Sequence, residues 1–123
     1  MKTFQTMMFV VLLTALSACT PAPTHLLSFP LESVTVPQGG SIKLTMSITK
    51  VDPAAGAAQI TLLDSDPELT VTPSYVVVAG DRLEVSIAVS KTAKIGDHGF
   101  GFEPNPHGYH SEAFVRVNVT APQ

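Results

Sequence analysis

A strict alternation of apolar and polar residues runs through Ile42-Lys43-Leu44-Thr45-Met46-Ser47-Ile48-Thr49. A period of two places all the apolar side chains on one face of a β-strand. The alternation returns at residues 82–89 and, with Phe114 as an exception, at residues 113–119. Each run therefore predicts a strand of an antiparallel sheet that buries one face and exposes the other.

Turn-forming residues separate these runs at short intervals, as in Pro37-Gln38-Gly39-Gly40 and Ala79-Gly80-Asp81. The resulting pattern predicts strands at 31–36, 41–49, 58–63, 69–72, 75–79, 82–90 and 98–103, and an eighth segment at 112–120. One strand kinked at Pro73 would join two of these and leave seven. Short strands at this spacing predict an all-β protein, either a sandwich or a barrel.

Length and composition limit the functions that this chain can have. It has 123 residues, of which 45% are hydrophobic and 14% charged, and its net charge is −3. These values fit one small folded domain, and the acidic balance argues against nucleic acid as a partner. The single cysteine excludes an internal disulfide, a four-cysteine zinc site and an iron–sulfur cluster.

The N-terminus has the pattern of a secretion signal. Lys2 precedes a mostly apolar run at residues 7–16. A membrane-spanning helix needs about 20 apolar residues, so this run is too short to span a bilayer but suits the core of a signal peptide.

The signal ends in Leu16-Ser17-Ala18-Cys19, which resembles the lipobox of bacterial lipoproteins. The resemblance implies cleavage before Cys19 and attachment of lipid to its sulfur, so that the protein is held on a membrane. Residues 1–18 would then be the signal peptide, 19–28 the lipidated cysteine and a tether, and 29–123 the folded domain. An ordinary signal peptide with an incidental cysteine is the alternative. Because Thr20 rather than aspartate follows the cysteine, the resemblance implies the outer membrane if the host is Gram-negative.

The order of turns and strands resembles the immunoglobulin-like modules of bacterial envelope proteins. The similar segments are Val34-Thr35-Val36-Pro37-Gln38-Gly39-Gly40-Ser41, residues 66–74, and Gly96-Asp97-His98-Gly99-Phe100. His98 stands where such modules usually place a tyrosine. The resemblance covers residues 31–120 and implies an immunoglobulin-like antiparallel β-sandwich of about seven strands, with a binding or structural role.

The segment after the 98–103 strand contains candidate metal ligands. His107 and His110 could share Zn²⁺ or Cu²⁺, with Glu103 as an oxygen donor. His98 would join them only if it pointed toward the same loop, whereas the alternation of its strand predicts that it faces the core. The alternative is a solvated loop with two unrelated histidines.

A second candidate is the acidic turn that contains Asp64, Asp66 and Glu68. Three carboxylates in such a turn could bind Ca²⁺. The alternative is an ordinary proline turn with solubilising charges, since the helix–loop–helix calcium pattern fails at Leu69 and Tyr75.

The sequence shows no Gly-x-Ser-x-Gly motif and no second cysteine, so we expect no enzyme. Phe114 interrupts the otherwise polar outer face of the last strand, and Tyr75 and Val77 alternate against Val76 and Val78. Phe114 and Tyr75 are candidates for a protein contact, unless Phe114 packs under a neighbouring loop. The sequence therefore predicts a lipid-anchored envelope protein that presents a non-catalytic sandwich to an unknown envelope protein or glycan. A metal-binding envelope protein that uses the histidines of the 103–110 loop is the alternative.

Overall fold

The computed structural model describes residues 22–108 and 110–122. This part of the chain contains nine strands and no helix. The strands are β1 (His25–Ser28), β2 (Ser33–Pro37), β3 (Ser41–Lys50), β4 (Ala58–Ser65), β5 (Leu69–Thr72), β6 (Tyr75–Val78), β7 (Arg82–Val89), β8 (Gly96–Asn105) and β9 (Ala113–Thr120).

The strands form two sheets. The four-stranded sheet has the order β1-β3-β7-β5, and the five-stranded sheet has the order β2-β9-β8-β4-β6. All neighbouring pairs are antiparallel except β2 and β9, which run parallel. The fold is thus the predicted immunoglobulin-like β-sandwich, with one parallel pair and with more strands than the sequence indicated.

The core fills the space between the sheets with the apolar side of each alternating strand. Met46 of β3 and Ile87 of β7 are fully buried, as is Phe102 of β8. Phe102 stacks edge-on with Phe100 at a ring-centroid distance of 6.0 Å, and Phe29 packs at 5.8 Å from Phe100. Full burial of one such side chain contributes about 1.5–3 kcal/mol to folding, so the inner faces of the sheets supply most of the driving force.

The segments on either side of Pro73 are two strands in different sheets. β5 pairs with β7 in the four-stranded sheet, while β6 pairs with β4 in the five-stranded sheet. The prediction of separate strands at 69–72 and 75–79 is therefore confirmed, and the alternative of one strand kinked at Pro73 was wrong. Crossing from one sheet to the other at Pro73 and Ser74 leaves β6 as an edge strand.

The predicted tether is too long by several residues, because β1 lies inside the stretch 19–28. Its His25 is buried, and the Nε2 atom of this side chain lies 3.1 Å from the carbonyl oxygen of Gly56 in the β3–β4 loop. Leu27 is also buried, and its N–H donates to the carbonyl of Ser111. A four-residue strand is too short to show a period of two, so the sequence did not separate it from a linker.

Candidate functional site

Four exposed apolar side chains lie on the outer face of the five-stranded sheet. Phe114 and Tyr75 are each 57% exposed, Val77 is 54% exposed and Leu63 is 42% exposed. Tyr75 and Val77 belong to β6, Phe114 to β9, and Leu63 to the bulge of β4. We call these four residues the apolar face. The two residues predicted as a partner contact, Tyr75 and Phe114, thus lie on one surface.

The outer face of the other sheet has a different character. Its central strands expose hydroxyl-bearing and charged side chains or alanine, namely Lys43, Thr45, Ser47 and Thr49 of β3 and Arg82, Glu84, Ser86 and Ala88 of β7. This composition is typical of a solvated sheet. β9 shares the alternating pattern of β3 and β7, so Phe114 departs from it, whereas all four residues of β6 are hydrophobic.

Phe114 is held in place by the strand next to it. Gly101 of β8 lies directly across from Phe114, and a Cβ atom at Gly101 would come within 2.4 Å of the Phe114 ring. The ring therefore covers the glycine backbone. The alternative prediction, that Phe114 packs under a loop, was wrong, because the ring lies over its neighbouring strand and stays more than half exposed.

Carboxylates are interspersed with the apolar face. Asp64 and Glu103 lie on β4 and β8, and the register places Glu103 in the same row as Thr61 and Tyr75. Arg116 is the one lysine or arginine in the five strands of this sheet. The surface therefore combines apolar side chains with excess negative charge.

An open cleft of ≈ 740 Å³ adjoins Phe114 near the end of β4. Its charged lining is mostly acidic, with Glu32, Asp64, Asp66 and Asp97 against Arg116 and His98. The acidic residues of the cleft continue, toward the β4–β5 loop, the negative charge that surrounds the apolar face.

His98 joins two loops at this end of the sandwich. Its Nδ1 atom lies 2.8 Å from Oδ2 of Asp66 in the β4–β5 loop, and its Nε2 atom lies 2.6 Å from the carbonyl oxygen of Lys94 in the β7–β8 loop. Glu68 lies 3.7 Å from the same Nδ1 atom. The side chain of His98 is only 7% exposed, in keeping with its predicted inward orientation.

The hydrogen bonds at His98 favour the charged imidazolium. A carbonyl oxygen accepts only, so Nε2 donates to Lys94, and Nδ1 donates to the carboxylate of Asp66. The bond to the Lys94 carbonyl, followed by the bond to Asp66, raises the pKa of His98 above its ordinary value of 6.5. The backbone N–H of Glu68, followed by His98, lowers the pKa of Asp66 below 3.8.

Asp66, Glu68 and His98 form the one group of three possible metal ligands found among the described residues. An imidazole nitrogen must lose its proton before it can bind a metal. Since both ring nitrogens of His98 face acceptors, the geometry favours an ion pair at this place rather than a metal centre.

The predicted histidine metal site is not assembled as expected. His98 lies near the start of β8 and pairs with Asp66, whereas His107 follows the end of that strand and pairs with Glu112. A strand of this length spans about 30 Å, so His98 cannot join His107 and His110. Glu103 belongs to β8 itself. Metal binding by the 103–110 loop stays a prediction, without His98 as a ligand.

The acidic turn predicted for calcium is divided between two roles. Asp64 is exposed on the outer face, while Asp66 accepts bonds from His98 and from the backbone of Glu68. Glu68 in turn accepts from the backbone N–H of Lys94. Asp66 and Glu68 therefore stabilise the contact between the β4–β5 and β7–β8 loops, which we call the loop junction.

The lipobox residues Leu16, Ser17, Ala18 and Cys19 lie outside the described residues. Within the described ranges, there is no helix with the length and hydropathy needed to cross a membrane.

Sequence reasoning missed the contact between His98 and Asp66. These residues are 32 positions apart, and alternation within a strand carries no information on which loop closes over it. The one signal in the sequence was the position of His98, at which similar modules usually have a tyrosine. A polar atom at such a position is expected to bond to nearby backbone.

Comparison with known proteins identifies a shared fold. No protein-family model matches the sequence, and no curated protein matches it. Among solved structures, domains 4 and 5 of the S-layer protein SbsC align with a TM-score of 0.57 at 14% identity. The alignment covers 77% of this chain and 51% of that one, so this chain spans about half the length of the SbsC fragment.

Two further structures match over nearly their whole length. WR4, a C. elegans member of the MSP family, aligns with a TM-score of 0.54 at 12% identity, over 79% of this chain and 98% of that one. A conjugative transposon lipoprotein from Bacteroides eggerthii aligns with a TM-score of 0.52 at 7% identity, over 80% of this chain and 99% of that one. At such low identities the likeness shows a common β-sandwich fold.

Proposed function

We propose that this chain is a lipid-anchored protein of the bacterial cell envelope whose sandwich is a non-catalytic protein-binding module. Two of the similar structures are described as a lipoprotein and a surface-layer protein, which is in keeping with this setting. The lipobox at residues 16–19 supplies the anchor. A lipid with more than one acyl chain holds a protein stably on a bilayer.

One observation carries the binding role, namely the difference between the two outer faces. The five-stranded sheet exposes Phe114, Tyr75, Val77 and Leu63, while the central strands of the four-stranded sheet expose polar residues and one alanine. Exposure of apolar side chains to water is unfavourable, and a partner that covers a group of them on one face removes this free-energy cost. The outer face of the five-stranded sheet is therefore the binding surface of the module.

Replacing Cys19 with serine is expected to abolish lipid labelling of the protein. A serine hydroxyl lacks the nucleophilic thiolate that carries the lipid, so cells fed an alkyne analogue of palmitate should label wild type only. The measurement is in-gel fluorescence after coupling of a dye to the alkyne. Thr20→Ser is the matched control, because it changes the next residue and keeps the motif. Labelling of Cys19→Ser at the wild-type level would rule out the anchor.

A photo-crosslinking side chain placed on the apolar face is expected to capture an envelope partner. We expect crosslinked species with the probe at Tyr75 or Phe114 and none with the probe at Thr45, which lies on the outer face of the other sheet. The measurement is a mobility shift of the full chain after irradiation of intact cells. Equal crosslinking from Thr45, or none from Tyr75 and Phe114, would contradict a binding role for the apolar face.

A further inference from the structure

We infer that the β3–β4 loop (residues 51–57) lies against the surface of the membrane that holds the lipid anchor. This contact rests on the proposed anchor at Cys19, and it orients the sandwich with its β4–β5 and β7–β8 loops away from the bilayer. Three features support it: the short chain between the anchor and the sandwich, the bonds between β1 and the loop, and the side chains that the loop exposes.

The chain between the proposed anchor and the folded domain is short. Ala22, the first described residue, follows Cys19 by three positions. Since consecutive Cα atoms lie about 3.8 Å apart, three such steps reach about 11 Å at most. The acyl chains of the anchor would lie in the hydrocarbon core, and each headgroup layer is about 5–8 Å thick. Crossing the headgroups takes up most of the available length, which places Ala22 at the membrane surface.

The residues at the start of the sandwich are bonded to the β3–β4 loop. The backbone N–H of Val51 donates to the carbonyl of Thr24 at 2.9 Å. His25 is buried, and its Nε2 atom lies 3.1 Å from the carbonyl oxygen of Gly56. These bonds fix the loop beside the point at which the chain enters the sandwich. A membrane that reaches Ala22 therefore reaches the loop as well.

The β3–β4 loop exposes small and apolar side chains. Val51 is 50% exposed, and the tip Pro53-Ala54 is also exposed. The N–H of Ala55 donates to the carbonyl of Asp52 at 3.0 Å, which closes a turn with proline at its second position. The turn thus keeps these side chains on the outside of the domain. Burial of such side chains in the interfacial region of a bilayer is favourable.

The charge of the loop permits contact with an anionic membrane. Lys50 and Asp52 give the loop and the end of β3 one charge of each sign. Asp66 and Asp97 lie at the opposite end of the sandwich, after the end of β4 and at the start of β8. The ten residues of β3 separate the two ends by about 33 Å. An anionic leaflet repels carboxylates, so electrostatics favour an orientation that directs the acidic cleft away from the membrane.

A tryptophan introduced into the loop reports this contact, because the chain contains no tryptophan of its own. The full lipidated chain is placed in phosphatidylcholine vesicles, of which a fraction of the lipid carries a nitroxide quencher on its headgroup. We expect Ala54→Trp to lose about half of its fluorescence and Thr92→Trp, in the exposed β7–β8 loop, to lose almost none. Val51→Trp is a second probe of the same loop, and circular dichroism establishes that each variant is folded.

Phe114→Trp distinguishes the inferred orientation from one in which the apolar face lies on the membrane. Phe114 is exposed on the outer face of the five-stranded sheet, so we expect weaker quenching there than at Ala54. Quenching of Phe114→Trp at or above the level of Ala54→Trp would overturn the contact. The absence of quenching at both Ala54 and Val51 would overturn it as well.

Flotation of the same vesicles separates failure of the contact from failure of the anchor. We expect the wild-type chain to float with the vesicles and Cys19→Ser to stay behind, because only the former carries acyl chains. If the wild type floats while the loop probes are not quenched, the proposed anchor stands and the loop contact is wrong. A wild-type chain that does not float would overturn both.

Discussion

Phe102→Ala is expected to destabilise the domain by about 3–5 kcal/mol. Phe102 is fully buried at the centre of the sandwich and lies edge-on to Phe100. Truncation to alanine removes the contacts of the ring and leaves a cavity that neighbouring strands cannot close completely. Small domains are stable by about 5–15 kcal/mol in total, so this loss removes a large share of the free energy of unfolding. Urea unfolding followed by circular dichroism measures it.

Phe114→Ala is the matched control for this change. Phe114 is the same residue type, lies on the adjacent strand and is 57% exposed. Its truncation should cost less than about 1 kcal/mol, because most of the ring already contacts water. Similar destabilisation by the two substitutions would contradict the assignment of Phe102 to the core and of Phe114 to the surface.

The inner faces of the long strands could be predicted from the sequence. The alternation at residues 42–49 places Leu44, Met46 and Ile48 inside, and all three are buried. β1 could not be predicted, because its four residues depend on pairing with β3 rather than on a pattern of their own. Likewise, the separation of β5 from β6 depends on which sheet each joins, and that choice is set by partners distant in the sequence.

The candidate surface was only partly predictable for the same reason. Phe114 could be recognised as an apolar residue at a polar position of its strand, and Tyr75 as part of an apolar run at residues 75–78. Their presence on one face follows from the sheet order, in which β4 and β8 connect β6 to β9. The addition of Leu63 depends on the β4 bulge, which turns an extra residue toward the outside.

The location of the surface is in keeping with the proposed binding role. The space between the sheets is filled by apolar side chains such as Met46, Ile60 and Phe102, so little room remains for a small molecule at the centre. Function on a filled sandwich is then confined to its loops, outer faces and free edges. The apolar face lies on such an outer face and includes such an edge.

Wild-type stability is expected to fall as the pH rises above about 6.5, and His98→Gln is expected to remove most of this fall. The folded-state pKa of His98 is raised by its bonds to Lys94 and Asp66. The stabilisation is therefore complete below the unfolded-state pKa and is lost as the pH rises through the higher folded-state value. The carboxylate of Asp66 has a lowered pKa, so its contribution is present above about pH 4 and is lost on acidification.

These opposite limits mean that the contributions of His98 and Asp66 are both present between about pH 4 and pH 6.5. The charged groups around His98 all favour this result, since Asp66 and Glu68 are its neighbouring carboxylates and Lys94 contributes a backbone carbonyl.

The measurement is the melting temperature by calorimetry at several pH values. His107→Gln is the matched control, because His107 is 54% exposed and pairs with Glu112 away from the loop junction. If His98→Gln keeps the wild-type pH profile while His107→Gln flattens it, the pH dependence arises from the 103–110 loop.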